Sequence, residues 1–228
     1  MRHLSDLEYR AFSRVMLLTV STGIGCRIYD TRLRSVPVDR VHGLQGEIGH
    51  LPVHFMYGKE HIELNCDCGG ANHINAFCSG RGIEVLIRRL ATGCKEEISG
   101  SALSEISSSE SGGQIFQLFA NALSQRDQFA LRILDAVTWP VANVLLSALT
   151  IDPQIEAIIL TGGVINALRD QYLNSLVKNL HDLGMYQVTS SDPDYFSRRI
   201  RMNITDDYSG LIGAGLYAKA QAGSLSSH

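Results

Sequence analysis

The chain is poor in charge, in aromatic residues and in long apolar runs, and each shortage removes a class of function. Charged residues make up 19% of its 228 positions, and 20 Lys and Arg against 23 Asp and Glu leave a formal net charge of −3. That balance supplies no basic face for a phosphate backbone, so no nucleic-acid partner is expected. The apolar runs, Val15 to Val20 and Ile158 to Val164, are strand-sized. They fall well short of the ~20 residues of a membrane-spanning helix, so no transmembrane segment and no membrane partner are expected. The opening MRHLSDLEYR is charged and lacks the apolar core of a secretory signal, which makes the cytoplasm the expected location. Cysteine is scarce and odd in number, at five, and Cys66 and Cys68 are separated by one residue. Such neighbours strain a mutual disulfide, so reduced thiols that ligate a metal fit better than a disulfide framework.

What is present concentrates between Gly46 and Gly82, in the order GEIGH, CDCGGANH and NAFCSGRG. His50, Cys66, Cys68 and His73 are soft or borderline ligands, which suit tetrahedral zinc and not the oxygen cages of calcium or magnesium.

Around this loop the pattern reads as strands feeding helices, an α/β fold. Ser5 to Ser13 is expected as a short capped helix. Met16 to Val20 is a continuous β-branched and apolar run, hence a buried strand, and Cys26 to Asp30 pairs with it across the turn Ser21-Thr22-Gly23-Ile24-Gly25. The turn glycines are expected at positive φ, and their backbone N–H groups suit a phosphate. Alternation in Leu51, Val53 and Phe55 predicts a strand that begins at His50. Ile74 to Leu90 turns helical, with Ile83, Val85, Leu86, Ile87 and Leu90 on one face. Residues 91–113, rich in Ser, Gly and Glu, are expected to be a mobile surface segment with one or two short helices. Ser124 to Leu149 carries a strong helical period that Pro140 should kink or break. Ala157 to Leu160 is a second buried strand; it runs through Thr161-Gly162-Gly163-Val164 into a helix from about Ala167 to Leu183, a phosphate-facing order of elements. A short strand at Arg199 to Asn203, a small-residue helix from Gly210 and a frayed tail from Ala222 complete the reading.

The motifs in this order resemble the ROK family of repressors, uncharacterised frames and sugar kinases. Ser21–Gly25 is similar to the family's GTGxG turn, Gly46–His50 matches GExGH, Cys66–Gly69 matches CxCG, Ser79–Gly82 matches SGRG, and Ile151-Asp152-Pro153 with Thr161–Val164 resembles its adenosine region. The resemblance covers nearly the whole chain. It implies the C-terminal lobe of an actin-like ATPase (ribonuclease H-like) fold, a mixed sheet with flanking helices and a zinc-bearing loop, as a single unit over 1–228. It implies a structural zinc on His50, Cys66, Cys68 and His73, where His73 stands in place of a family cysteine and Cys78 is the rival fourth ligand. It implies Glu47, His50 and Asn75 as sugar contacts, Asn75 replacing a family glutamate, and Thr22, Gly23, Gly162 and Gly163 against the phosphates and adenosine of Mg-ATP. The implied reaction transfers the γ-phosphate to a sugar hydroxyl. The family's first phosphate loop and its catalytic aspartate have no counterpart in this sequence. Activity is therefore expected to need a homodimer partner or a polypeptide carrying the N-terminal lobe; the alternative is a non-catalytic sugar-binding or interaction module, or a remnant. No helix-turn-helix favours the repressor branch.

Overall fold

The computed structural model describes residues 12–33, 36, 39, 41–42, 45–93, 95–106 and 111–203, with 211, 214–215 and 218–219. The expected helix at Ser5 to Ser13 and the tail lie almost wholly outside them, as do most of the positions from Gly210 onward.

Two strands rich in β-branched and aliphatic residues form the centre. β1 (Arg14–Val20) pairs antiparallel with β2 (Ile24–Asp30) and parallel with β5 (Ala157–Thr161), and β5 pairs parallel with β6 (Ile200–Met202). The order β2-β1-β5-β6 is the expected mixed sheet. A two-residue hairpin, β3 (Met56–Tyr57) with β4 (Glu60–His61), stands apart from it. The register sets Leu18 beside Leu160 and Met16 beside Ile158, and these belong to the main core with Val20 and Ile200. Val15, Ala157 and Ile159 form a separate small cluster with Phe12 and Leu17. Alternation across the pleat thus buries both faces of β1 and β5, which is why each reads as an unbroken apolar run.

Helices α1 (Ile74–Cys78) and α2 (Gly80–Gly93) follow the loop and are separated at Ser79. Ile83, Leu86, Ile87 and Leu90 of α2 are buried, whereas Val85 is 43% exposed and leaves the expected apolar face. Residues 91–113 hold a short helix α3 (Lys95–Ile98) and a 3-10 turn at Ala102–Glu105. Asp127 ties this segment down: its carboxylate accepts from Ser101 Oγ at 3.0 Å and from the Ala102 N–H at 2.9 Å, and Leu103 is fully buried.

Of the kink or break expected at Pro140, the break is not observed. Instead α4 (Gly112–Ser124), begun by a Ser111/Gln114 capping box, is followed by one helix, α5 (Gln128–Ile151), that runs through a buried Pro140. Proline removes one backbone donor, and side-chain hydrogen bonds reinforce the turn before it. Asn179 Nδ2 donates to Asp135 O at 2.9 Å and to Thr138 Oγ1 at 2.9 Å, and Thr138 Oγ1 donates to Leu134 O at 2.8 Å. By length and composition α5 is apolar enough to cross a membrane, contrary to the expectation from apolar runs alone, but half of that window is buried within the fold. Helix α6 (Gly163–Leu183) packs along it, starts earlier than Ala167, and is interrupted at Arg169 (φ 46°, ψ −126°). Two single-turn helices, α7 (Val188–Ser191) and α8 (Tyr195–Arg199), lead into β6.

Candidate functional site: a His/Cys-braced loop over the carboxyl ends of parallel strands

β1 and β5 run parallel, so the turns that follow them emerge at the same end of the sheet, where α/β proteins place ligands. After β1, Ser21-Thr22-Gly23 closes a tight hairpin in which Val20 lies opposite Ile24. Gly23 and Gly25 do not adopt the expected positive φ, because this short turn closes without it. After β5, Gly162 does (φ 109°), and a Cβ there would lie 2.4 Å from Val20 O, so the two turns touch only through glycine. The Gly80 N–H donates to Ser21 O at 2.7 Å, which docks the start of α2 on the hairpin.

The strand expected from His50 does not form. Ile48–His50 is a 3-10 turn, and Pro52 makes only an isolated bridge to His73. Proline has no N–H for a ladder; the flanking backbone bonds instead to the loop, with Val53 N–H to Asn72 O at 2.8 Å and Ile74 N–H to Leu51 O at 3.0 Å. These bonds fold the loop back on itself and bring His50, Cys66, Cys68 and His73 together. One ligand atom from each lies within 4.8 Å of the others. His50 Nδ1 is 3.8 Å from Cys66 Sγ and His73 Nδ1 is 3.2 Å from Cys68 Sγ. Bonds of ~2.0–2.3 Å in tetrahedral zinc give ligand–ligand edges of roughly 3.3–3.8 Å, so two thiols and two imidazoles here have the chemistry and nearly the spacing of a metal site. Gly70 makes room, since a Cβ there would meet the His73 ring at 2.4 Å. Cys78, the rival ligand, is fully buried on α1 and outside the cluster; burial alone pushes its thiol far up. Cys26 is likewise buried, and desolvation lifts it to about 11 despite the Arg27 charge beside it.

Beneath the cluster lies a small cavity of about 100 Å³, lined by Thr22, His50, Asn75 and Arg81 among others. Of the expected sugar contacts, His50 and Asn75 meet there. Glu47 does not line it; its carboxylate pairs with Arg27 Nη2 at 3.3 Å, half exposed. Of the expected nucleotide contacts only Thr22 reaches this cavity, while Gly23, Gly162 and Gly163 stay on the neighbouring turns. Asn75 Oδ1 accepts the Ile24 N–H at 2.7 Å, and Gly49 packs against the same amide, where a Cβ would lie 2.3 Å from Oδ1.

Sequence reasoning treated SGRG as a motif and missed what its serine does. Ser79 Oγ donates to Asn75 O at 2.7 Å and accepts the Gly82 N–H at 3.0 Å, joining α1 to α2 directly under the cavity. It also missed the ion pair of Arg81 with Asp67, 3.0 Å apart at the cavity wall. A serine three residues before an α2 N–H was the available signal; nothing in the spacing announced the Arg–Asp pair.

A mixed α/β fold, with glycine-bearing turns at one sheet end and a His/Cys cluster beside them, is the class these features define. The chain belongs to the ROK family, whose profile matches residues 7–221. It is 37% identical over 96% of its length to a 2-epi-5-epi-valiolone 7-kinase of Actinoplanes sp., and 31% identical over 91% to a C(7)-cyclitol 7-kinase of Streptomyces hygroscopicus subsp. limoneus. It spans 60% and 56% of those two proteins. Among solved structures, a ROK glucokinase from Streptomyces griseus in complex with glucose and AMPPNP matches with a TM-score of 0.62 at 20% identity, covering 89% of this chain and 59% of that one. The ROK hexokinase of Thermus thermophilus also gives 0.62 at 20% identity, covering 94% and 60%. At such identities these two speak for the fold alone.

Proposed function

We propose that the chain forms the substrate-facing lobe of a ROK-type kinase that phosphorylates a hydroxyl of a cyclic polyol, a sugar or a cyclitol, with one structural zinc bracing the loop. The observation that carries this reading is the meeting of Thr22, His50 and Asn75 in one cavity at the carboxyl end of β1. Its support is the 37% identity to a cyclitol kinase over 96% of the chain.

Zinc on His50, Cys66, Cys68 and His73 supplies a fixed crosslink with no redox chemistry. The residues do the rest. With Nδ1 turned to Cys66, His50 keeps Nε2 as its free polar atom. Thr22 offers a hydroxyl from the hairpin turn. Gly162 and Gly163, at the first turn of α6, leave backbone N–H groups clear of side chains for the phosphates of Mg-ATP. The cavity is far below the roughly 300–1,000 Å³ of a typical small-molecule site, so these residues grip one edge of the substrate.

Transfer to a hydroxyl needs a group to take its proton. Asp67 is the carboxylate among the cavity-lining residues, and Arg81 holds it. The base is therefore assigned to a segment outside the described residues, on an N-terminal lobe or a partner chain. A homodimer is part of the same proposal, supported by half-exposed Trp139 and Met56 along a broad groove. Cytoplasmic residence belongs to the same proposal, since Cys66 and Cys68 must stay reduced to hold a metal.

The test is ligand-induced thermal stabilisation together with mass-spectrometric detection of phosphorylated product, using glucose and 2-epi-5-epi-valiolone with Mg-ATP. Stabilisation by a polyol supports the reading. Stabilisation without product from the isolated chain matches a base supplied from elsewhere; the same result in the presence of an N-terminal lobe favours a binding module. No stabilisation by either polyol overturns the assignment of the cavity.

A further inference from the structure

The broad groove between the β3–β4 hairpin and helices α5 and α6 has the lining of a second ligand site. Its volume is about 1880 Å³, above the roughly 300–1,000 Å³ of a typical single-ligand pocket, and it shares no lining residue with the small cavity at Thr22, His50 and Asn75. Trp139, the sole tryptophan of the chain, lines it with 41% of its surface exposed.

The polar groups around the indole are uncommitted. Asn143 stands one turn further along α5, on the same side as Trp139, and Gln171 and Asn174 share a side of α6. All three amides line the groove, and among the described residues neither they nor the indole N–H has a hydrogen-bond partner in the protein. The two helices beneath them are held in place. Thr138, next to the tryptophan, meets Ser175 Oγ at 2.7 Å and accepts from Asn179 Nδ2 at 2.9 Å, which ties α5 to α6.

Charge narrows the ligand. Asp135 is taken up by Lys178 at 3.1 Å and Glu97 by Arg132 at 3.0 Å, and on the hairpin Lys59 and Glu60 offset each other in sign. A lining so nearly balanced gives a phosphate or a nucleotide little to hold it. Amides donate and accept, as hydroxyl groups do, and the electron-rich face of an indole takes the C–H face of a sugar ring. A second copy of the chain would cover the same tryptophan, but amides and paired charges suit a hydroxylated ligand better than the apolar centre of a subunit interface.

We propose that this groove binds a neutral saccharide of two or more rings, stacked on Trp139 and hydrogen-bonded by Asn143, Gln171 and Asn174. The volume sets the length, since a single ring would leave most of the groove to water.

Because Trp139 has no other tryptophan beside it, its fluorescence reports this groove alone. Titration with cellotriose and with maltotriose should move the emission to shorter wavelength as the indole is covered, and one of the two should bind about tenfold more tightly than glucose. Asn143→Ala and Asn174→Ala, both at exposed positions, should each weaken that trisaccharide about fivefold and leave ligand-free melting unchanged. Unmoved emission with both trisaccharides overturns the proposal, and so does undiminished affinity in the two variants. Emission that follows protein concentration and a dimer mass by light scattering, and not saccharide, seats a second copy in the groove and overturns it as well. The small cavity is judged separately. Glucose or 2-epi-5-epi-valiolone that stabilises the chain without moving the emission sits there, so either reading can fail alone.

Discussion

The two ends of the β1–β2 hairpin are built on opposite principles. At one end Arg14 pairs with Asp30 at 3.2 Å and with Asp152 at 2.8 Å, and Arg32 closes on Asp30 at 2.8 Å. Asp30 is almost wholly buried, and the Arg32 guanidinium bonded to it holds its carboxyl well below the usual carboxylate range. At the other end, Ser21–Gly25 carries no charge. Its backbone is met by Gly80, by the Asn75 amide and, across from Val20, by Gly162. One end is a clamp of paired charges. The other leaves polar atoms uncommitted, and that is what a site requires. The clamp and the core hold the sheet in place; beside the glycine end, His50, Cys66, Cys68 and His73 come together in a cluster that could hold a metal ion.

That contrast breaks most visibly at the metal cluster. Cys66→Ser should abolish the expected one zinc per chain and lower the melting midpoint by roughly 10 °C or more, since structural zinc contributes to folding outright. Elemental analysis and a melting curve check both. A metal-free protein purified without chelator would refute the ligand set. Cys78→Ser, only ten residues along from Cys68, should keep the zinc and cost about 1–3 kcal/mol for burying a hydroxyl where a thiol sat. If Cys78→Ser also released the metal, the fourth ligand would be Cys78 and not His73.

Below the loop, Phe77 stacks on Phe55 with ring centroids 4.3 Å apart, and both are buried. This pair joins α1 to the segment after the GEIGH motif. Phe77→Ala should cost about 3–5 kcal/mol in urea denaturation, with metal content retained in the folded fraction. A smaller change would mean that the cluster and not the stack holds the loop down. Gly49→Ala tests the glycine end more finely. Its Cβ would collide with Asn75 Oδ1 and with Ile24 O at 2.4 Å. It should weaken polyol binding, and should lower stability by about 1–3 kcal/mol as an overpacked site does.

Much of this was readable before any coordinates, and the particular failures show where sequence stops. β1 and β5 were legible because burial on both faces leaves an unbroken apolar signature. The ligand cluster was legible because cysteines and histidines at short spacing have few other uses. The strand expected at Leu51–Phe55 failed because alternation does not report whether a partner strand is available; Pro52 and the loop's own backbone took those bonds. At Pro140, where a kink or a break was expected, the helix is continuous; Asn179, 39 residues later in sequence, donates to the Asp135 carbonyl and the Thr138 hydroxyl in the turn before it, and no local pattern records that. Asn75 and His50 line one cavity, but which end of the Asn75 amide is taken up within the fold depends on Ile24, 51 positions earlier, and no local pattern records that.

The charged end of the hairpin is where the smallest effect is expected, and its sign follows from the direction of the Asp30 shift. The folded-state value lies below the unfolded one, so Asp30 contributes stability throughout the range above the unfolded carboxylate value of about 3.9. That contribution fades as the pH falls from there through the folded value, because the unfolded chain takes up the proton first. Urea unfolding followed from pH 6 down to pH 2 should show stability declining most steeply below about pH 4. In Asp30→Asn the part of that slope due to this carboxylate should vanish, while stability at pH 6 drops because Arg14 and Arg32 lose a shared partner. Polyol binding at pH 7 should not change, since the clamp lies at the opposite end of β1 and β2 from Thr22 and Asn75. An Asp30→Asn chain that kept its stability but lost its ligand would mean that the two ends of the hairpin are coupled, and that the division of labour between them is false.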